Sequence, residues 1–143
     1  MAESRTKPVS IAEDRPLTWS EQTLIGWLLV NGHPDAASYL PQLDHARVVS
    51  RCACGCPSID FSIRGVVPPL QAGMDVLSDY VWQTDNGAHC GVFVFARGGL
   101  LAGLDVWSVD GLTDISALPN IERLRPIAEF QETEPGDCAA DGR

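Results

Sequence analysis

Apolar and polar positions change rhythm once along this chain: helical spacing in the first third, alternation after residue 46. Leu24, Trp27 and Leu28 fall three and four residues apart, forming one stripe of a helix. Just ahead of them, Thr18-Trp19-Ser20-Glu21 has the form of a capping box. The Thr18 hydroxyl accepts from the Glu21 backbone N–H while the Glu21 carboxylate reaches back. Asn31-Gly32 supplies the stop, so a helix is expected over 19–30. A second helix is expected from Pro34 in its first turn, with Ala37, Tyr39 and Leu40 as apolar surface and Pro41 kinking or ending it.

Beyond residue 46 the alternation predicts strands at 47–51, 59–64, 79–84, 90–97 and 100–107. Ile59, Phe61 and Ile63 share one face, with Asp60, Ser62 and Arg64 on the other. Leu100, Ala102, Leu104 and Val106 are expected to face the core, and Leu101, Asp105 and Trp107 to face away. Asp85-Asn86-Gly87 and Gly98-Gly99 are hairpin turns, and Gly65 to Gly73, with Pro68-Pro69, is a loop. Residues 118–127 are expected to pack irregularly along the body. Residues 1–16 lack a periodic apolar face and read as a mobile arm, and 131–143 as a mobile acidic tail. The expectation is one α+β domain over 17–130. One or two N-terminal helices pack on an antiparallel meander sheet of about five strands.

A chain of 143 residues, 45% hydrophobic, is large enough to bury a core without covalent staples. No apolar run approaches the length of a membrane span, and no basic-then-apolar leader opens the chain, so a cytoplasmic, membrane-free protein is expected. The net charge of −9 disfavours nucleic acid. Glu129, Glu132, Glu134, Asp137 and Asp141 concentrate that charge near the C-terminus. Over residues 46–64 the balance reverses: Arg47, Arg51 and Arg64 face only Asp60 and form a candidate basic patch. Trp82 and Trp107 are candidate anchors for a protein partner or a second copy, weighed against core positions under a helix.

Candidate chemistry concentrates at the tip of the first hairpin. Three of the five cysteines, Cys52, Cys54 and Cys56, fall in Arg51-Cys52-Ala53-Cys54-Gly55-Cys56-Pro57. A zinc site needs four converging ligands, so His45, His89 or Cys90 would have to join these three. One residue, not two, separates the cysteines. Extended chain would leave the sulfurs on one side but spread out, and only a tight turn at Gly55 would gather them. A strained, reducible Cys-Gly-Cys bridge with Arg51 lowering a thiol pKa is the redox reading, though no activating helix end is evident. The third reading, put ahead of both, is packing: free cysteine behaves as a small hydrophobe. Zinc is the one cofactor left open; none is otherwise expected.

No phosphate-cradling loop, dinucleotide fingerprint or nucleophile elbow occurs, and Lys7 is the only lysine. Asp44 beside His45 and His89 beside Cys90 pair on paper, but strand neighbours point to opposite faces. A cryptic site of His45, Asp44 and Arg51 is the remaining enzymatic option.

The stretch Leu43-Asp44-His45-Ala46-Arg47-Val48 through Arg51-Cys52-Ala53-Cys54-Gly55-Cys56-Pro57-Ser58-Ile59-Asp60 is similar to a signature of small single-domain bacterial proteins without an assigned activity. Val92-Phe93-Val94-Phe95 and Gly103-Leu104-Asp105-Val106 also look like theirs. The resemblance spans 19–127 and implies a compact bacterial cytosolic protein, with no catalytic residues to carry over. The longer arm, the Pro68-Pro69 loop and the acidic tail depart from it. The functional expectation is a noncatalytic binding protein, by analogy one that neutralises a basic protein partner as immunity proteins do. The alternative is a zinc-binding or thiol-redox protein acting through the hairpin.

Overall fold

The computed structural model describes residues 10–111 and 115–127. The acidic-tail expectation, and the arm expectation over residues 1–9, lie outside the described residues.

Helix α1 (Trp19–Val30) begins at the capping box read from the sequence. The Glu21 N–H donates to Thr18 Oγ1 at 3.1 Å, and Glu21 Oε1 accepts from the Thr18 N–H at 2.8 Å. Its apolar stripe, Leu24, Ile25, Leu28 and Leu29, is buried. At the other end the Tyr80 hydroxyl donates to the Asn31 carbonyl at 2.7 Å, while the Tyr80 ring meets Trp27 edge-on at 4.9 Å. The second helical segment is a 3₁₀ turn (Ala36–Tyr39) running into a short α2 (Leu40–Leu43). Pro41 sits in the first turn of α2, where its missing N–H costs no hydrogen bond, so it neither kinks nor ends the segment.

One antiparallel sheet carries the rest: β1 (Ser10–Pro16), β2 (Ala46–Cys52), β3 (Ile59–Ile63), β4 (Asp75–Gln83), β5 (His89–Arg97), β6 (Leu100–Ser108) and β7 (Arg125–Pro126). Their spatial order is β1-β2-β3-β6-β5-β4-β7. The α+β class holds, with seven strands where the alternation predicted five. The two additional strands are the edges. Residues 10–16, read as part of the arm, pair with β2 as β1, and 125–126, read as irregular, pair with β4 as β7. The meander is also interrupted, because β4–β5–β6 folds back so that β6 lies beside β3. The loop between β3 and β4 makes that crossing. Its Leu70 carbonyl accepts from Arg97 Nη1 at 3.4 Å, and Pro69 lies against Gly98.

The core lies between the helices and one sheet face. It holds Val48, Phe61, Cys90, Val92, Val94, Leu101, Leu104 and Val106, together with Trp82. The alternation expected in β6 reverses at its start: Leu101 is fully buried in this core, while Ala102 lines a groove with Pro68 and Arg97. A β-bulge is the reason. Ala96 pairs with Leu101 and Phe95 with Gly103, so Ala102 is the extra residue and the faces exchange across it. The Gln42 side chain of α2 clamps this bulge, donating to the Gly99 carbonyl at 2.9 Å and accepting from the Leu101 N–H at 2.8 Å.

Candidate functional site

Strands β2 and β3 meet at Cys52, whose N–H donates to the Ser58 carbonyl at 3.2 Å and closes the hairpin. Beyond that bond the chain makes a tight turn, with the Gly55 N–H donating to the Cys52 carbonyl at 3.3 Å. Gly55 has φ +95°, a conformation that favours glycine. This turn does what extended chain could not. It brings the sulfurs of Cys52, Cys54 and Cys56 within 4.8 Å of one another. All three are free thiols; Cys54 is exposed, and Cys52 and Cys56 are half-buried.

The cluster is asymmetric. The Sγ atoms of Cys52 and Cys54 lie 2.9 Å apart, and Cys54 Sγ also accepts from the Cys56 N–H at 3.4 Å. The Cys52 S–H and that backbone amide both favour an anion on Cys54, so its pKa falls below the ordinary thiol value. Cys52 is the counterpart. Sharing its proton with Cys54, with burial adding to the effect, pushes it up to about 11. Cys56 turns the other way, its thiol donating to Ser58 Oγ at 3.4 Å.

Ser58 was not marked by the sequence and proves central to the arrangement. Buried under the hairpin, its Oγ also accepts from the Val106 N–H at 2.9 Å, which binds the thiol turn to β6. Asp105 lines the same groove as Ser58, close enough to feel its hydroxyl. Burial is the main cause that raises the Asp105 carboxyl, and neighbouring Asp60 adds to it; Ser58 and Arg97 work against the rise. Asp60 and Asp105 line the same groove as the three cysteines, about 400 Å³ in volume. A second groove of about 420 Å³ runs on the other side of the tip between Cys54, Cys56 and Trp107. The sequence carried one clue to Asp105, its outward position in β6; nothing local pointed to Ser58.

The other candidates disperse. His45 is exposed at the opposite end of β2 from Cys52, about 20 Å away at the rise of a strand. That distance removes it from the cluster and separates the His45–Asp44 pair from Arg51. Cys90 is fully buried on the helix side of β5, where burial raises its thiol and Asp110 adds to the rise. His89, half-buried at the start of β5, is likewise outside the sulfur cluster.

Two of the three arginines of the basic patch are paired with acidic residues of β1. Arg47 Nε donates to Asp14 at 3.0 Å and Arg51 Nε to Glu13 at 2.7 Å. Arg51 is therefore held by Glu13 of β1 and is not among the groups that move the Cys52 or Cys54 thiol. Arg64 is exposed in the turn after β3, at φ +53°. Of the two tryptophans, Trp82 is 7% exposed in the core and offers no anchor surface, whereas Trp107 is half-buried on the opposite sheet face. The Trp107 indole lies over Gly91, in the space a Cβ there would need.

Among the described residues, then, one constellation of ligand-type side chains converges, and it is the three-sulfur turn. No helix there is long and apolar enough to cross a membrane. Comparison with protein-family models, curated proteins and solved structures finds no match to this chain. Any functional reading therefore stands on the site itself.

Proposed function

We propose that the protein binds a thiophilic d¹⁰ metal ion, zinc in the first instance, through the thiolates of Cys52, Cys54 and Cys56. The observation that carries this reading is the convergence of the three sulfurs within 4.8 Å at an exposed hairpin tip. Zinc–sulfur bonds of about 2.3 Å in tetrahedral geometry put ligand sulfurs about 3.8 Å apart. The 2.9 Å contact between Cys52 and Cys54 has to open by under 1 Å to meet that, and the other two spacings, neither above 4.8 Å, have to close by no more than about 1 Å. Both adjustments fall on the turn and on Cys52, the last residue of β2.

Charge supports the same reading. Asp60 and Asp105 line the groove beside the thiols, and its guanidinium, Arg51, is bonded to Glu13. Three thiolates there call for a cation. Three protein ligands leave a position for solvent or a small ligand, the arrangement of open rather than closed zinc sites. Ser58, which meets the Cys56 thiol at 3.4 Å, would serve as an outer-shell support for a ligand sulfur.

The reading is tested by equilibrating the reduced full chain with zinc against a competing chelator and weighing it by native mass spectrometry. The expected result is one zinc per chain, lost in the variant with Cys52, Cys54 and Cys56 all replaced by serine. Equal zinc content in the two proteins would exclude the site.

Binding of a protein partner without catalysis is the second reading. Its specific support is the exposure of Val66, Val67, Leu70, Met74 and Val76 along the β3–β4 crossing and the start of β4.

A further inference from the structure

We propose that Cys52 and Cys54 form a thiol–disulfide exchange site that takes a low-molecular-weight disulfide as oxidant, and that closing the Cys52–Cys54 bridge expels the metal from the turn. The second half of this inference rests on the metal-binding reading; the first half does not.

Three features of the turn lead here. The Cys52 and Cys54 sulfurs are already in contact at 2.9 Å, closer than any metal would hold them, while Cys56 is directed to Ser58 instead. Covalent bonding at about 2.05 Å asks the pair to close by less than 1 Å. Access is unequal. Cys54 is exposed at the tip and Cys52 is half-buried beneath it, so an external disulfide meets Cys54 first and Cys52 stands behind as the resolving thiol. Cys54 Sγ also accepts from the Cys56 N–H, which holds the attacking sulfur in place through the backbone.

The exchange proceeds in two displacements. Cys54 thiolate attacks one sulfur of R–S–S–R, forming a mixed disulfide on Cys54 and expelling R–S⁻, which takes a proton from water. Cys52, after losing its proton to solvent, attacks Cys54 Sγ. The mixed disulfide breaks, a second R–S⁻ leaves and is protonated, and the Cys52–Cys54 bond remains. Two protein thiols have given up two electrons, and the small disulfide has become two R–SH. A bound ion would then keep only Cys56 of its three sulfur ligands and would leave. A dithiol reductant reverses the sequence.

The test uses oxidised glutathione on the reduced full chain, with and without one equivalent of zinc. Peptide mapping after alkylation locates any bridge, and a chromophoric chelator reads released metal. Expected are a two-hydrogen mass loss with Cys52 and Cys54 protected from alkylation, release of one zinc per bridge, and recovery of both thiols with dithiothreitol. The Cys52→Ser variant should stop at a persistent glutathione adduct on Cys54. Cys56→Ser should still form the bridge although its zinc affinity falls at least tenfold. Cys52 and Cys54 remaining alkylatable at equilibrium, or a bridge mapping to Cys56, Cys90 or Cys138 instead, would overturn the proposal. A Cys52–Cys54 bridge in a protein that takes up no zinc would uphold the exchange site and overturn the metal reading. Zinc retained by the bridged protein would overturn the expulsion.

Discussion

Asp79 is the side chain whose surroundings serve it least well. It lies on the face of β4 opposite Tyr80, paired across the sheet with Phe93, and its Oδ1 is buried without a hydrogen-bond partner among the described residues. Burial raises its carboxyl above the usual aspartate value of 3.8, against a smaller opposing pull from His33. The sign follows: a carboxyl raised in the folded state favours folding below pH 3.8, and that contribution is lost as pH rises through the folded value. At neutral pH the charge is a cost. Asp79→Asn is therefore expected to stabilise the protein at pH 7 by up to about 1 kcal/mol, discounted because the side chain is only half-buried. Melting curves from pH 3 to 8 check this, and the gain should vanish at the acid end. A lower melting temperature at pH 7 would mean that the carboxylate has a partner worth more than its burial. Residue-scale features of this kind were poorly legible beforehand. The alternation put Leu101 outside and Ala102 inside, and a bulge between them reversed both. Trp82 and Trp107 read alike in the sequence, and which one is covered depends on where α1 and α2 come to rest.

At the scale of elements, β1 and α1 are joined through one carboxylate. Glu21 caps the helix it belongs to and also receives both arms of the Arg15 guanidinium at 3.0 Å. Burial alone would raise its pKa. The bonds from Arg15 and from the Thr18 backbone outweigh that, and it lies below the ordinary 4.5. Its stabilisation is therefore complete above pH 4.5 and is lost as pH falls through the lower folded value. Glu21→Gln should cost about 1.5–3 kcal/mol at pH 7, the scale of hydrogen bonds to a charged group. Denaturant titrations at several pH values should show the cost shrinking below pH 4.5. A cost that does not change with pH would locate the effect in the cap and not in the ion pair. The cap itself was readable because its partners are three residues apart in the chain. Strand β1 was not, because Ser10–Pro16 has no apolar alternation, and Glu13 and Asp14 meet Arg51 and Arg47 more than thirty residues away. Two of the three arginines of the basic patch expected over 46–64 are paired for the same reason, and Arg64 is left exposed.

At the scale of the whole molecule, the hairpin turn is an exposed feature that the sheet organises. It is bound to the body through Ser58 and β6. An ion held there is linked to folding because the unfolded chain does not keep the three sulfurs together. With free zinc at about a hundred times its dissociation constant, the unfolding free energy should rise by about 2.7 kcal/mol. Chemical denaturation with and without zinc measures this, and the increment should disappear in the triple serine variant. An equal increment in both proteins would assign the ion to some other place.

The sequence by itself determined the parts whose partners are neighbours: the capping box of α1, the Gly98-Gly99 and Asp85-Asn86-Gly87 turns, the five central strands and the buried face of β3. In each, hydrogen bonds or side-chain alternation close within a few residues, so the local pattern is sufficient. Tertiary structure decided whatever depends on distant chain: the sheet order that inserts β6 beside β3, the two edge strands, the bulge clamped by Gln42, and the pairing that neutralises Arg47 and Arg51. The thiol site belongs to both. Its three cysteines and Gly55 are adjacent in the chain. Only the fold, through the turn beyond the β2–β3 ladder and the Ser58–Val106 bond beneath it, brought the sulfurs together and left the histidines elsewhere.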